Sequence, residues 1–357
     1  MLPITNDAPA ERGYFSPTHQ GERAVVVDLC CGMGGLSLAS RDLGMRVAAG
    51  VDVDVHAART YKRNFPEAEF IEGSVRSSKV LRRCHELLEG ARRRSIPSII
   101  VSGPPCQGFS VAGSRDPIDP RNQILVAVAR AIVKLNPFCA LIENVSMVLG
   151  SRHATRLSGF RDTLEGSGYS VRALLLDAMD FGVPQKRKRA FFLVAKQKLD
   201  EGEIQRCLDR VKAPQLTVQC ALRDLPSPEV RPEHYDDEVA YLGFQNHLAM
   251  RHSKRVIDKI AALEPGKGPM SYRKLDPSRP SKTLFSGHRA PPAHFLEPRS
   301  ITVREAARLQ GFPDSFRIYG SFGNQMQQVT NAVPPPLARA ILSVLLELVG
   351  VTTLAHA

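Results

Sequence analysis

Residues 24–29 read AVVVDL and run directly into the turn CCGMGG at 30–35. An unbroken apolar run rich in β-branched residues suits a strand buried on both faces, and such strands belong to parallel sheets covered by helices. The glycines at 32, 34 and 35 allow a tight turn into a helix expected from Leu36, and they leave the main chain open to close approach by a ligand. A second strand-like run at 46–53 carries Asp52 near its end, and a helical stretch at 56–64 follows until Pro66 stops it. Buried strands are expected again at 98–102, 139–143 and 190–195, with a helix at 124–135. This alternation predicts an α/β protein with a doubly wound, mostly parallel sheet. Ligands of such sheets sit at the carboxyl ends of the strands. The distinctive residues of this chain fall there: after Leu29, at Asp52, after Ser102 and at Glu143.

From about 196 to 299 the alternation gives way to proline, charge and short irregular segments. A chain of 357 residues is long enough for two cores, so the expected division is a catalytic domain over 20–195 plus 325–357 and a smaller, irregular domain over 196–324. The formal net charge is +12, and residues 251–289 hold ten basic against three acidic side chains. Positive charge concentrated in this way points to a polyanionic partner. Seven cysteines without a Cys-x-x-Cys pair indicate neither a disulfide framework nor a zinc site, which implies a reducing compartment and no metal. Cys84, Cys139, Cys207 and Cys220 read as small buried hydrophobes. The first 22 residues hold no apolar signal core, and the apolar run at 340–349 is broken by Glu347, so neither secretion nor a membrane span is expected.

Two motifs carry chemistry. Asp52 stands twenty residues beyond Gly32, at the strand end where an acid commonly binds ribose hydroxyls, and the pair points to an adenosine-bearing cofactor. The stretch SGPPCQGFS at 102–110 places two prolines and then Cys106 directly after a strand, which presents the thiol instead of burying it.

GPPCQGFS resembles the catalytic signature of the cytosine-5 DNA methyltransferases, and further blocks are similar to that family in the same order. DLCCGMGG at 28–35 resembles its cofactor loop, and Glu143-Asn144-Val145 its Glu-Asn-Val block. Gln185, Arg187 and Arg189 match its Gln-x-Arg-x-Arg block, while REAARLQGFPD at 304–314 and NAVPPPLA at 331–338 resemble its C-terminal blocks. The resemblance spans about residues 24–345. It implies a Rossmann-like, S-adenosylmethionine-dependent enzyme that methylates carbon 5 of a flipped-out cytosine in a specific double-stranded DNA sequence. Carbon 5 is a weak nucleophile until a thiolate adds at carbon 6, and the resemblance gives that thiolate to Cys106. Glu143 would protonate ring nitrogen 3, Arg189 would hold the ring carbonyl and orient Glu143, and Arg187 would help to lower the thiol pKa. The cofactor would be bound by Asp28, Cys30, Gly32, Gly34, Gly35, Asp52, Val53, Ser74, Val75, Pro105, Asn331 and Val333. Residues 107–123 resemble the mobile loop that closes over the flipped base, and the basic stretch before Arg304 would hold DNA phosphates.

The same resemblance implies a monomer in a bacterial cytoplasm, with a restriction endonuclease as a genetic rather than physical partner. Residues 283–285, Asn246 and His247 look like landmarks around the recognition region, with His247 structural. Three positions depart from the family's pattern: Cys30 replaces a Phe that packs on adenine, Ser74 replaces an Asp that contacts the adenine amine, and Thr330 replaces a Gly. The alternatives are a cytosine-5 methyltransferase acting on tRNA and a non-catalytic DNA-binding relative. Intact Cys106, Glu143, Arg187 and Arg189 argue against the second.

Overall fold

Val25, Val26, Val27 and Leu29 are fully buried, as a strand covered on both faces must be. The structure, a computed structural model, describes residues 23–105, 124–232, 243–269, 272–285 and 291–351, without the side chain of Arg152. Cys106 and the expected closing loop at 107–123 lie outside the described residues. The strands are β1 (Val25–Leu29), β2 (Arg46–Asp52), β3 (Glu69–Glu72), β4 (Ser98–Ser102), β5 (Cys139–Val145), β6 (Ser170–Asp177), β7 (Gln185–Lys186), β8 (Lys188–Ala195) and β9 (Ser281–Lys282). The helices are α1 (Gly35–Asp42), α2 (Val55–Asn64), α3 (Ser78–Arg92), α4 (Ile124–Leu135), α5 (Ala154–Glu165), α6 (Glu201–Val211), α7 (Val218–Leu222), α8 (Lys254–Ala261), α9 (Val303–Leu309), α10 (Phe322–Asn331) and α11 (Pro335–Leu348).

Seven strands form one sheet in the order β3-β2-β1-β4-β5-β8-β6, and β7 pairs with β9 in a separate two-stranded ladder. The sheet is parallel except for β8, which runs against both β5 and β6. The chain order reverses between β1 and β4, so a crevice opens at their carboxyl ends, where Leu29 pairs with Ser102. The Ser102 hydroxyl donates to Leu29 O at 2.7 Å and ties the two strand ends together.

Helices cover both faces. Leu36 and Ala39 of α1, Ile204 and Leu208 of α6, and Leu337 and Ile341 of α11 share one buried cluster with Val26 and Val101. Leu81 and Leu88 of α3, Val128 of α4 and Phe160 of α5 pack with Val27, Ile100 and Phe192 on the other face. A third cluster joins Met33, Leu38, Tyr61 and Phe65, behind the glycine-rich turn, to Leu284, Phe295, Leu309, Phe312 and Met326. Just past the expected division at 195/196, α6 lies on the sheet core, and residues within 284–326 share an apolar cluster with residues of α1 and α2.

Inside that third region Thr302 caps α9 in a reciprocal capping box with Glu305, and Arg299 closes on Glu305 at 2.7 Å. The His247 ring is buried between the Pro226 carbonyl at 2.7 Å and the Thr302 hydroxyl at 3.0 Å, which is a structural role. Cys84, Cys139 and Cys207 are buried as expected, whereas Cys220 is exposed near the start of the short α7, which has too few turns to cover it. The stretch Phe322–Leu348 is apolar enough to cross a membrane by length and composition. It is divided into α10 and α11, and 67% of its most apolar window is buried against the rest of the protein.

Candidate active site

The turn after β1 passes through three left-handed positions, Cys30 at φ 59°, Gly32 at 51° and Gly34 at 101°. Only glycine takes such angles without strain, so Cys30 is held there by its surroundings. Each glycine serves a different contact. A Cβ on Gly35 would lie 2.2 Å from the Val333 carbonyl and one on Gly34 would lie 2.3 Å from the Phe65 ring, so both are packed solid. A Cβ on Gly32 would meet nothing within 4 Å. The main chain at Gly32 therefore faces open space, the cradle that a close-approaching ligand requires.

Asp52 fastens this turn to the end of β2. Its Oδ2 accepts from Gly32 N at 2.7 Å, and its Oδ1 accepts from Val53 N at 2.7 Å and Asp54 N at 2.9 Å. Burial pushes its carboxyl pKa up, and these backbone N–H groups oppose the shift. Next to it, the Ser74 hydroxyl accepts from Arg76 N at 3.2 Å, and Gly73 N donates to Asp52 O at 2.8 Å.

The open space continues as one cavity of about 970 Å³. Cys30, Gly32, Gly35, Asp52, Val53, Ser74, Val75, Pro105, Asn331 and Val333 line it, together with Glu143, Arg187 and Arg189. Asp28 and Gly34, expected with them, do not. By strand periodicity Asp28 shares the face of Val26 toward α1. Its Oδ2 accepts from the Ser37 hydroxyl at 2.7 Å, which in turn meets the Tyr61 hydroxyl at 2.8 Å. Complete burial raises the Asp28 pKa to about 8.

Glu143 ends the apolar part of β5 and is 7% exposed. In the antiparallel pairing of β5 with β8, Arg189 stands opposite Val145, two residues past Glu143 and on the same face. That diagonal puts Arg189 Nε 2.9 Å from Glu143 Oε1. Burial raises the Glu143 pKa, and the charges of Arg189 and Arg187 oppose the rise. Arg187 is buried, with its backbone N–H on Asp177 Oδ1 at 2.8 Å and Nη2 on Thr330 O at 2.7 Å. Gly103 joins the two sides of the cavity: its missing Cβ would sit 3.5 Å from Val333 and 3.8 Å from Glu143 Oε2. Asn144 Nδ2 donates to Pro104 O at 3.3 Å and braces the strand end that leads to Pro105. Among the wall residues, Met147 and Lys186 were not singled out in the sequence. They come from turns and from the short ladder of β7 and β9, which have no periodicity to read.

A doubly wound sheet with one reversed strand, open at its switch point onto a cavity lined by the glycine-rich turn and a buried Glu-Arg pair, has the architecture of a Rossmann-like methyltransferase fold. The sequence model of the family described as C-5 cytosine-specific DNA methylase matches residues 24–347. The chain belongs to that family and is a DNA cytosine-5 methyltransferase. It is 30% identical to the type II methyltransferase M.DdeI of Desulfomicrobium norvegicum, over 88% of this chain and 87% of that one. It is 31% identical to the type II methyltransferase M.XorII of Xanthomonas oryzae pv. oryzae, over 89% and 84%. Among solved structures, a putative DNA modification methyltransferase encoded within an E. coli prophage superposes with a TM-score of 0.74 at 27% identity, covering 92% of this chain and 99% of that one. The Dnmt2 methyltransferase of S. pombe shares the fold, with a TM-score of 0.61 at 17% identity over 91% and 98%.

Proposed function

We propose that the chain methylates carbon 5 of a flipped-out cytosine in a specific double-stranded DNA sequence, using S-adenosylmethionine and a covalent bond from Cys106 to carbon 6. The observation that carries this reading is the continuity of one cavity from the Gly32–Asp52 cradle to the Glu143–Arg189 pair, with Gly103 between them. The cradle fits an adenosine cofactor. Gly32 leaves its backbone clear, Asp52 keeps acceptor capacity for ribose hydroxyls, and Val53 and Val75 offer apolar walls to a base. When bound, the cofactor supplies an electrophilic methyl group.

The chain's own residues do the rest. Cys106 as thiolate adds to carbon 6, and the displaced electron pair makes carbon 5 nucleophilic and leaves negative charge on the ring. Glu143 places a proton at ring nitrogen 3 to take up that charge, and Arg189 holds Glu143 and the ring carbonyl. Once carbon 5 is methylated, its proton leaves to a base, the Cys106 thiolate is expelled and the nitrogen-3 proton returns to Glu143, which restores the neutral aromatic ring. Sequence recognition lies within 196–324, beyond α6, where the basic side chains concentrate. The type II relatives support a pairing with a restriction endonuclease as a genetic partner. Labelled-cofactor assays on DNA and on tRNA, with bisulfite sequencing of DNA from cells expressing the chain, test the reading. Methylcytosine at one recurring DNA sequence is expected, and methyl transfer to tRNA alone would overturn the choice of substrate.

Two further results are expected. Cys30 offers no aromatic face and Ser74 no carboxylate to an adenine, so Ser74→Asp should tighten S-adenosylmethionine binding about tenfold, as a hydrogen bond to a charged acceptor does, and Cys30→Phe should act in the same direction. Calorimetry reads both, and unchanged affinity in the pair would show that another group serves the base. Lys254 and Arg255 project from the exposed α8, and changing both to Gln should lower the slope of log affinity against log salt by up to about two while leaving cofactor binding intact. An unchanged slope would place the DNA elsewhere.

A further inference from the structure

Gln310 follows α9, is fully buried and lines no part of the cavity, yet its side chain reaches the wall on the cofactor side. Its Nε2 donates to Ala332 O at 2.6 Å, and its Oε1 accepts from Gln185 Nε2 at 2.7 Å. Gln185 Oε1 in turn accepts from Leu284 N at 3.1 Å. Leu284 N–H can only donate and Ala332 C=O can only accept, so the orientation of both amides is determined by the two ends of the chain of bonds.

The local sequence explains why Ala332 needs such a partner. A helix continuing through this stretch would satisfy the carbonyls of residues 330, 331 and 332 with the N–H groups of 334, 335 and 336. All three of those residues are proline and have no N–H. The helix breaks between α10 and α11, and the orphaned carbonyls turn to side chains: Thr330 O takes Arg187 Nη2 at 2.7 Å, and Ala332 O takes Arg187 Nη2 at 3.3 Å as well as Gln310. On its other side the same segment presses its Val333 carbonyl against Gly35. Asn331 and Val333, both in the cavity wall, are thus located between the glycine-rich turn and Gln310.

We propose that Gln310 is a positioning residue for the cofactor: through the Ala332 carbonyl it fixes Asn331 and Val333, and so it sets cofactor affinity rather than the rate of methyl transfer. This rests on the cofactor assignment made above. Gln310→Met removes both hydrogen bonds at similar volume, and Gln310→Glu keeps the acceptor for Gln185 while turning an oxygen on Ala332 O. Both should raise the calorimetric Kd for S-adenosylhomocysteine, measured without DNA, about tenfold, because the Ala332 carbonyl loses the shorter of its two hydrogen bonds and keeps only Arg187 Nη2 at 3.3 Å. kcat at saturating cofactor should stay within about twofold. A folded variant that binds as the wild type, or one that loses kcat with unchanged affinity, would overturn the proposal. If neither variant folds, hydrogen exchange on the wild type decides: S-adenosylhomocysteine should slow exchange of the amides at 309–311, although they lie outside the cavity, and absence of that protection would overturn it. A wild type that binds no S-adenosylhomocysteine would remove the cofactor assignment and this proposal together, whereas the other contrary outcomes leave that assignment standing.

Discussion

Glu143→Gln is expected to lower the single-turnover rate of methyl transfer by about two to four orders of magnitude, the range that general acid catalysis contributes. The replacement keeps the volume and an oxygen for Arg189 Nε, so the pair at 2.9 Å can persist as a neutral-acceptor hydrogen bond and the fold should hold. What is lost is the ionisable proton. In the wild type, burial raises the carboxyl pKa while Arg189 and Arg187 oppose the rise. The amide can donate only a weaker hydrogen bond. Cofactor affinity should not change, since Gly103 separates Glu143 from Val333 and, among the described residues, no hydrogen bond links the carboxylate to the glycine-rich turn. Rapid-quench kinetics with labelled cofactor and saturating DNA measure the effect. A rate within about threefold of the wild type would mean that ring charge is neutralised by another group.

The same residues show what a sequence can disclose. Strands buried on both faces are legible as short apolar runs: Ser98–Ser102 and Ile124–Leu135 have the expected bounds, and the strands at β1, β2, β5 and β8 lie where expected within two residues. Direction is not legible. The run in β8 looks like any buried parallel strand, and only its pairing reveals that it is reversed, which is also what brings Arg189 beside Glu143. The strands β3 and β6 were not expected: they form the two edges of the sheet, β3 is only four residues long, and the apolar run at 173–176 of β6 is flanked by Arg172 and Asp177 and partly exposed. α3 is heavily charged, with its buried face reduced to Val80, Leu81, Cys84, Leu88 and Ala91.

In the site, the motif residues of the turn, of Asp52 and of the Glu143 strand converge on one cavity because each lies at a strand's carboxyl end. Gly34, packed against the Phe65 ring, is one exception, and Asp28 is the other. It neighbours the turn in sequence, but the two-residue period of a strand directs it to Ser37 beneath the turn. The apolar face of α6, just past the expected boundary at 195/196, was hidden for a similar reason. Ile204, Cys207 and Leu208 form an apolar stripe on α6 that belongs to the sheet core, while the surrounding charge makes the segment read as surface. The role of Gln310 was hidden because a buried amide acts through partners more than twenty residues away, and three consecutive prolines at 334–336 were the only local sign that carbonyls there would need them.

The account stands most directly on Cys106. Duplex DNA carrying 5-fluorocytosine at the target position, incubated with the full chain and S-adenosylmethionine, should become covalently attached to that residue. Attack at carbon 6 and methylation at carbon 5 both proceed, but fluorine cannot leave as a proton does, so the thioether has no route to release. The adduct should survive denaturing electrophoresis, and peptide mapping should place it on the peptide that contains Cys106. Cys106→Ala should remove the adduct and lower methyl transfer below detection while leaving calorimetric cofactor binding intact. Methylation of ordinary cytosine by the wild type, together with no adduct at Cys106 on the fluorinated DNA, would contradict the account.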